Sequence, residues 1–166
     1  MAELKELMDV MVDLLKDTYD AELQQRDSLP KLLKAAGNTS LKRVFRDHME
    51  QNKVHIARLE KAFAFIDRPA RPRKCKGMAV LLKEAEDAGE LKGITPLVDA
   101  GIIMAAQKVE HYEIVAYNAL KTYARILGQD DIVNLFEANL GDEIEADDLL
   151  TEISQGELLR RFIPKP

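Results

Sequence analysis

The stretch VEHYEIVAY, residues 109–117, decides the fold because it carries a glutamate where the pattern of a buried helix requires an apolar residue. Glu113 lies at the centre of the apolar stripe of this helix, and Glu110 lies about 60° away around the helix axis. A carboxylate in a protein core costs several kcal/mol unless it is paired, protonated or bound to a cation. The stretch therefore predicts a long bundle helix with a polar site inside it. Its apolar stripe consists of Ile102, Ala106, Val109, Ala116, Leu120, Ala124 and Leu127.

Helical periodicity recurs along the whole chain, and no segment shows the two-residue alternation of a strand. Pro30 allows a kink or a new start within the first helical region. Thr39 or Ser40 is the predicted N-cap of the second helix, and Thr95 followed by Pro96 is a favourable start, as N-cap and N1, for a later one. The first predicted helix begins near Ala2 or Glu3 and reaches at least Asp27, and its region closes at a C-cap, Gly37. The later predicted helices span 39–66, 78–88, 95–127 and 130–153.

The lengths of the helices and of their connections predict the architecture. Four long helices paired as hairpins, with about 30 residues between the second and the third, indicate a ferritin-like four-helix bundle with a long B–C crossover. The crossover begins with the basic loop DRPARPRKCKG, residues 67–77, and carries the short extra helix. The all-α bundle is assigned to residues 1–154, and the C-terminal tail, 155–166, is expected to be irregular or to dock on the surface.

Composition and charge restrict the classes of function. The 166 residues carry a net charge of −5 with both signs interspersed, so we expect no nucleic-acid partner. The single cysteine, Cys75, excludes an intramolecular disulfide framework. The N-terminus lacks the apolar core of a signal peptide, and the chain lacks an uncharged apolar run of about 18 residues, so no membrane segment is expected. The sequence predicts a cytoplasmic protein.

Polar residues fall inside the apolar sector of all four long helices when positions advance by 100° per residue. Glu22 is central on the first helix, whereas Glu143 and Asp147 are central on the fourth. On the second helix Glu50 points away from the stripe. The inward or flanking positions of that helix are His48, Gln51, Asn52 and His55.

The acids would repel one another inside a single core, because like charges a few ångströms apart raise each other's pKa. Two divalent or trivalent cations would neutralise them, and carboxylate-rich ligation with at most two imidazoles favours iron or manganese over zinc or copper. The alternative is that individual acids lie on a flank and form salt bridges, as Glu110 could with Lys108 or His111. Tyr19 and Tyr117 lie near the acidic stripe, either as packing residues or as hydrogen-bond donors to the ligands.

Four segments carry a resemblance to a known family: LLKDTYDAELQ (14–24), LPKLLKAA (29–36), KCKGM (74–78) and AAQKVEHYEIVAY (105–117). Through them the sequence resembles the YciF-like stress-protein family, a ferritin-like group, from about residue 7 to residue 153. The resemblance implies a four-helix bundle, commonly dimeric, with a dimetal centre that looks like those of the rubrerythrin relatives.

Carried over by position, the resemblance also implies a set of ligands. They are Glu22, Glu110, Glu113 and Glu143. Asp147 takes the position at which such relatives often have a histidine ligand. The second helix departs from the family, since HMEQ (48–51) stands where members usually read H-L-x-E, which puts Gln51 at the position of a glutamate. A glutamine offers one neutral oxygen and cannot bridge two metals as a carboxylate does. Coordination could pass to His55, which the helix phase favours, and to His48, or Glu50 could enter through a local helix distortion.

These expectations lead to two hypotheses from different classes. The first is a stress-response protein whose two iron or manganese ions react with dioxygen or peroxide, with an external electron donor and a homodimeric assembly. If that protein is an enzyme, it would be an oxidase or peroxidase of the di-iron type or would act like a manganese catalase. The second hypothesis is a stress-associated structural or interaction protein with a vestigial or slow metal site, which Gln51 favours.

Overall fold

The computed structural model of the protein describes residues 6–160 and 162–164. Within these residues the chain forms five α-helices and a short π-helix, without strands. The elements are α1 (Leu7–Ala35), α2 (Thr39–Phe65), α3 (Lys76–Gly89), α4 (Thr95–Ile126), α5 (Asp130–Ile153) and the π-helix Ser154–Leu158. The predicted start near Ala2 or Glu3 lies outside the described residues, and the all-α prediction is confirmed.

Helix neighbours define a four-helix bundle. The helix α1 packs against α2 and α4, and α5 also packs against α2 and α4, so that α2 and α4 occupy opposite corners. The 66–94 segment joins these corners, and the short α3 within it packs against α1 and α4. The predicted long crossover with an extra helix is therefore confirmed.

Several helix ends differ from the prediction by about one residue. Pro30 neither kinks nor restarts the first helix, since α1 runs through it and buries Leu29 and Leu32 on either side. The N-cap of α2 is Asn38, whose side chain accepts the Leu41 N–H, and the N-cap of α4 is Ile94. Asn38 precedes the predicted caps, Thr39 and Ser40, and its short polar side chain starts the helix earlier than predicted.

Gly37 has a different role from the predicted one. The C-cap of α1 is Ala36, whose φ is −59°, so no left-handed residue ends the helix. A side chain at Gly37 would instead overlap the methyl group of Thr95 at the start of α4. Glycine is required here by the close approach of two chain segments.

Two apolar clusters occupy the two ends of the bundle. One contains Leu15, Phe63, Leu120 and Phe136, and the other contains Leu32, Leu41, Ile102 and Leu150. Between them the buried residues are largely polar, on the middle turns of all four long helices. The apolar burial at both ends thus provides the driving force that holds a polar layer in the centre.

The C-terminal segment docks on the bundle. After α5 the chain continues as the π-helix and bends at Gly156, where φ and ψ are −81° and −140°. Leu158 then packs into the apolar cluster that contains Leu150. None of the described helices combines the length and the apolar character that crossing a bilayer would require.

Asp99 fixes the turn between α1 and α2, and its removal gives a first testable prediction. Its Oδ1 accepts the Gly37 N–H and its Oδ2 accepts the Asn38 N–H, both at 2.8 Å, from a fully buried position in α4. We expect Asp99→Ala to lower the free energy of unfolding by about 2 kcal/mol in urea titration, because two amides lose their acceptor. The control Asp47→Ala breaks an exposed pair with Arg43 and should cost less than about 0.5 kcal/mol. Equal losses would contradict this role of Asp99.

Candidate metal centre

The central polar layer contains six buried residues with metal-ligating side chains. They are Glu22 from α1, His48 and His55 from α2, Glu110 and Glu113 from α4, and Glu143 from α5. None of them is more than 4% exposed. We call these six residues the donor cluster. All four long helices contribute to it, because the polar positions recur at the same height in each.

The donor cluster divides into two groups that could each hold a cation. His48, Glu110, Glu113 and Glu143 form the first, and Glu22, His55 and Glu143 form the second. Within each group the possible ligand atoms lie within 4.8 Å of one another. We refer to them as the His48 group and the His55 group. Because Glu143 belongs to both, the arrangement is that of two adjacent sites sharing one carboxylate.

The closest contacts of the cluster involve the two imidazoles. His55 Nδ1 lies 3.0 Å from Glu143 Oε1 and 3.3 Å from Glu22 Oε1. His48 Nε2 lies 3.6 Å from Glu143 Oε2 and 4.0 Å from Glu110 Oε2. The 3.0 Å approach of His55 to Glu143 lacks the alignment of a hydrogen bond, which leaves both atoms unsatisfied. Each imidazole therefore faces two carboxylates of the layer.

Burial and mutual repulsion change the proton affinities in this layer. Burial raises the pKa of Glu110 and of Glu113 well above the ordinary value, and the neighbouring carboxylates raise it further. Burial also raises the pKa of Glu143, although His55 opposes the shift. Burial alone would lower the pKa of His55, but the carboxylates of Glu143 and Glu22 outweigh it and raise that pKa to about 11. Without other cations, protons compensate the negative charge of the cluster.

Unsatisfied atoms test whether a metal pair fits these residues. Seven buried side-chain atoms within the described part of the chain have no hydrogen-bond partner: His48 Nδ1, Asn52 Oδ1, His55 Nδ1, Glu110 Oε2, Glu113 Oε1, Glu143 Oε1 and Glu143 Oε2. All but one belong to the donor cluster, and Asn52 contacts it. Leaving such atoms unpaired costs about 1–3 kcal/mol each, more for charged groups. Two divalent cations would also balance the four carboxylates, so the donor set fits two ions of iron or manganese.

Neutral amides surround the carboxylates. Gln25 Nε2 donates to Glu113 Oε2 at 2.7 Å, and Gln25 Oε1 lies 3.2 Å from His48 Nε2. Asn52 Nδ2 donates to Glu22 Oε2 at 2.7 Å. The hydroxyl of Tyr117 donates to Glu22 Oε1 and accepts from Asn139 Nδ2. These contacts orient the carboxylates without adding charge to the core.

The structure brings most of the predicted site residues together. Glu22, His55, Glu110, Glu113 and Glu143 lie together with His48 in the central layer, and Tyr117 contacts Glu22. Tyr19 lies elsewhere, where its hydroxyl donates to Glu60 at 2.8 Å. Glu50 is exposed and pairs with Lys53 at 2.7 Å, so no helix distortion turns it inward.

Asp147 is not brought into either group. Its Oδ1 accepts from Gln107 Nε2 at 2.9 Å, and its Oδ2 lies 3.0 Å from Nε2 of the exposed His111. Four residues advance a helix by about 400°, so Asp147 lies roughly 40° around α5 from Glu143 as well as one turn further along. That rotation directs it to the contact between α4 and α5 rather than to the centre.

The inward amide of α2 is Asn52, whereas Gln51 is only half-buried. The spacing of the sequence contains a signal for this position, since 22 and 52 are separated by the same 30 residues as 113 and 143. Gln25 was missed, although it follows Glu22 by three residues and therefore shares its helix face. Asn52 is thus the residue equivalent to Glu143 in the other half of the bundle.

The fold and the buried donor cluster define an all-α bundle protein with a candidate dimetal centre, and comparisons with known proteins identify its family. The family described as a domain of unknown function, DUF892, matches residues 6–162. Protein YciF of Escherichia coli K12 is 36% identical over 152 residues, which cover 91% of this chain and 92% of YciF. The chain belongs to the DUF892 family, and the predicted resemblance to YciF-like proteins is confirmed.

Solved structures agree with this assignment. The crystal structure of the E. coli stress protein YciF has a TM-score of 0.90 at 34% identity and covers 95% of this chain and 99% of its own. The structure of YcfI of Rhodopseudomonas palustris, for which a role as a structural protein has been suggested, has a TM-score of 0.86 at 35% identity and covers 90% of this chain and 95% of its own. A Xanthomonas campestris protein, 22% identical with a TM-score of 0.72 and coverages of 95% and 99%, shares the fold.

The raised proton affinities predict an unusual pH dependence for the metal-free protein. Groups whose pKa is raised by folding contribute stability that is complete below their unfolded pKa and is lost as pH rises through the folded pKa. For Glu110 and Glu113 the loss begins above about 4.5, and for His55 it extends from about 6.5 to about 11. We therefore expect urea titrations of chelator-treated protein to give a decreasing free energy of unfolding between pH 6.5 and 9.

The variant Glu113→Gln isolates this effect. It removes one proton-linked group, and we expect the slope of stability against pH to become shallower by up to about 1.4 kcal/mol per pH unit. The control Glu50→Gln changes an exposed carboxylate and should leave the slope unaltered. A slope that is flat in the original protein, or equal in both variants, would contradict the assigned electrostatics.

Proposed function

We propose that this protein binds two metal ions in the donor cluster, iron or alternatively manganese, and that this centre reacts with dioxygen or peroxide during stress. The observation that carries the proposal is the convergence of six buried ligand side chains, six of whose oxygen and nitrogen atoms have no hydrogen-bond partner in the part of the chain that the structure describes. The stress context rests on the relative that is named a stress protein and shares 34% of its sequence.

Each group of donors would hold one ion. The His48 group offers Glu110 and Glu113 as additional ligands, and the His55 group offers Glu22. Glu143 reaches both groups, so it is the candidate bridging ligand. Helices on all sides of the cluster supply ligands, and metal binding would therefore tie the four long helices together.

A bound pair of ferrous ions would supply two electrons, one from each ion as it becomes ferric, and these with two protons are what the reduction of peroxide to two water molecules requires. The surrounding residues exclude bulk water, since the donor cluster is almost fully buried. Burial and the nearby carboxylates raise the pKa of Tyr117 well above its ordinary value, so its hydroxyl stays protonated and donates to Glu22. Gln25 holds Glu113 in the same manner. These hydrogen bonds orient the carboxylates of Glu22 and Glu113, which would hold the ions.

Repeated turnover would require electrons from a partner. The sequence contains one cysteine, which is too few for a cysteine-ligated electron-transfer site. A homodimer is the expected assembly, and the outer face of α4 offers a surface for it. There Leu97, Met104 and Val115 are 51%, 58% and 69% exposed. Exposed apolar residues recurring along one helix face are typical of protein–protein contacts.

A structural or interaction protein is the second candidate function. The buried amides of Gln25 and Asn52 favour it, because they occupy space in the cluster with weak neutral ligands. The description of the Rhodopseudomonas palustris relative as a structural protein points in the same direction. Such a protein would keep its properties after chelation, whereas a dimetal protein would lose its reactivity.

Single substitutions should separate the two groups. We expect Glu143→Ala to lose both ions, because it removes a ligand from each group, whereas His48→Ala and His55→Ala should each lose one. Metal content is measured by mass spectrometry after gel filtration. The control Glu86→Ala removes a half-buried carboxylate of α3 that pairs with Lys31 and should keep both ions. Retention of two ions by Glu143→Ala would contradict the assignment.

Peroxide titration tests the proposed reaction. Protein loaded anaerobically with ferrous iron should consume one peroxide for every two irons oxidised, because peroxide accepts two electrons. The near-ultraviolet absorbance of ferric iron follows the reaction, and Glu143→Ala supplies the control. Oxygen release from peroxide without a reductant, by manganese-loaded protein, would instead indicate a manganese-catalase-like activity. No reaction with either metal bound would favour the structural candidate.

A further inference from the structure

A polar connection links the His55 group to the protein surface. Asp142 Oδ2 lies 3.0 Å from His55 Nε2 and accepts from Arg58 Nη1 at 2.9 Å. The side chains of Asp142 and Arg58 are 29% and 28% exposed, whereas that of His55 is fully buried. Asp142 precedes the shared ligand Glu143 in α5, and Arg58 follows His55 by three residues in α2.

The two ring nitrogens of His55 have different surroundings. A carboxylate only accepts hydrogen bonds, so Nε2 of the ring carries the proton that is donated to Asp142. The opposite nitrogen, Nδ1, faces Glu22 and Glu143 at 3.3 and 3.0 Å. Asp142 therefore directs the ring so that Nδ1 is the atom available to a cation.

A second set of contacts holds Asp142 itself. Arg58 Nη1 donates both to Asp142 Oδ2 and to Asn139 Oδ1, each at 2.9 Å. This fixes the orientation of the Asn139 amide, whose Nδ2 donates to the Tyr117 hydroxyl at 3.0 Å. The guanidinium thus connects the orientation of His55 to that of Tyr117, whose hydroxyl donates to Glu22 of the same group.

His48 lacks an equivalent arrangement. Its Nδ1 has no hydrogen-bond partner among the described residues, and its Nε2 is contacted by the neutral amide of Gln25. The orientation of the His55 ring is consequently fixed by more polar contacts than that of the His48 ring. Only His55 has a carboxylate on the nitrogen that points away from the cluster.

We propose that Asp142, held by Arg58, is a positioning residue that orients His55 for metal binding and gives the His55 group its affinity. The inference rests on the proposed dimetal function, and it assigns a role to a residue that is not itself one of the six ligands. Carboxylates that accept a hydrogen bond from a ligating histidine fix its tautomer and strengthen it as a ligand, and their loss typically costs 10- to 100-fold in metal affinity.

Equilibrium titration with Mn²⁺, in competition with a chelator, tests the proposal on the full chain. We expect Asp142→Ala to weaken one of two Mn²⁺ sites by about 10- to 100-fold and to change the other by less than about threefold. Asp142→Asn should recover part of the loss, because its amide oxygen can still accept from Nε2. The matched control Glu86→Ala, which removes a carboxylate of similar exposure paired with a lysine, should leave both sites unchanged.

Nitrogen-15 spectra of the histidine rings in the Zn²⁺-loaded protein show which ring nitrogen carries the proton and which binds the metal. A role of Asp142 in stability alone would leave these spectra unchanged. We expect the ring of His55 to show a protonated Nε2 and a metal-bound Nδ1. In Asp142→Ala the Nε2 proton should exchange rapidly with solvent. The opposite assignment, with the metal on Nε2, would overturn the proposal.

The remaining outcomes separate this inference from the proposed function. If the original protein binds two Mn²⁺ ions and Asp142→Ala matches the Glu86→Ala control, the positioning role is wrong while the dimetal function stands. Equal weakening of both sites by Asp142→Ala would also overturn the positioning role, because it would assign the residue to the fold. If the original protein binds none of Mn²⁺, Zn²⁺ and, under anaerobic conditions, Fe²⁺, both proposals fail.

Discussion

The constraint on which the structure depends is the burial of four carboxylates in one layer of a helical core. Glu22, Glu110, Glu113 and Glu143 lie between two apolar clusters, where water cannot solvate them. Separate salt bridges to lysine or arginine would have neutralised them one by one, but their nearest basic neighbours are two histidines. The layer therefore needs a compensating positive charge, and the apolar packing at both ends supplies the free energy that keeps it closed.

Protons and metal ions are alternative sources of that charge. The raised pKa of His55 and of the glutamates indicates that the metal-free fold retains protons which an exposed cluster would release. Metal binding would displace some of these protons, since a coordinating imidazole nitrogen and a coordinating carboxylate are deprotonated. In the metal-free structure the amides of Gln25 and Asn52 hold the carboxylates of Glu113 and Glu22 in place.

Periodicity was sufficient to predict the helices and the central acids, because Glu22, Glu113 and Glu143 interrupt otherwise apolar stripes. It was insufficient for Asp147, which the same periodicity also placed at the centre of its stripe. Asp147 differs from Glu143 by only about 40° of helix phase, and an ideal phase does not decide which neighbour a side chain of that kind will contact. In the structure the contact is Gln107 on α4.

The contribution of Asp142 could not be predicted from its own helix. Its role depends on where α2 places His55 and Arg58 relative to α5, which is a property of packing between helices. Asn52 is a different case, since the 30-residue repeat that relates Glu113 to Glu143 also relates Glu22 to Asn52. The neutral residue at that position makes the two halves of the bundle chemically unequal, although their helices are arranged alike.

Metal content of the purified protein tests the central claim most directly. The protein would be expressed in medium supplemented with iron and manganese, freed of loosely bound ions by gel filtration and measured by mass spectrometry. A donor cluster that binds two ions predicts close to two iron or manganese ions per chain. A content well under one ion per chain, with the helical circular dichroism spectrum intact, would contradict the account and favour a structural or interaction protein.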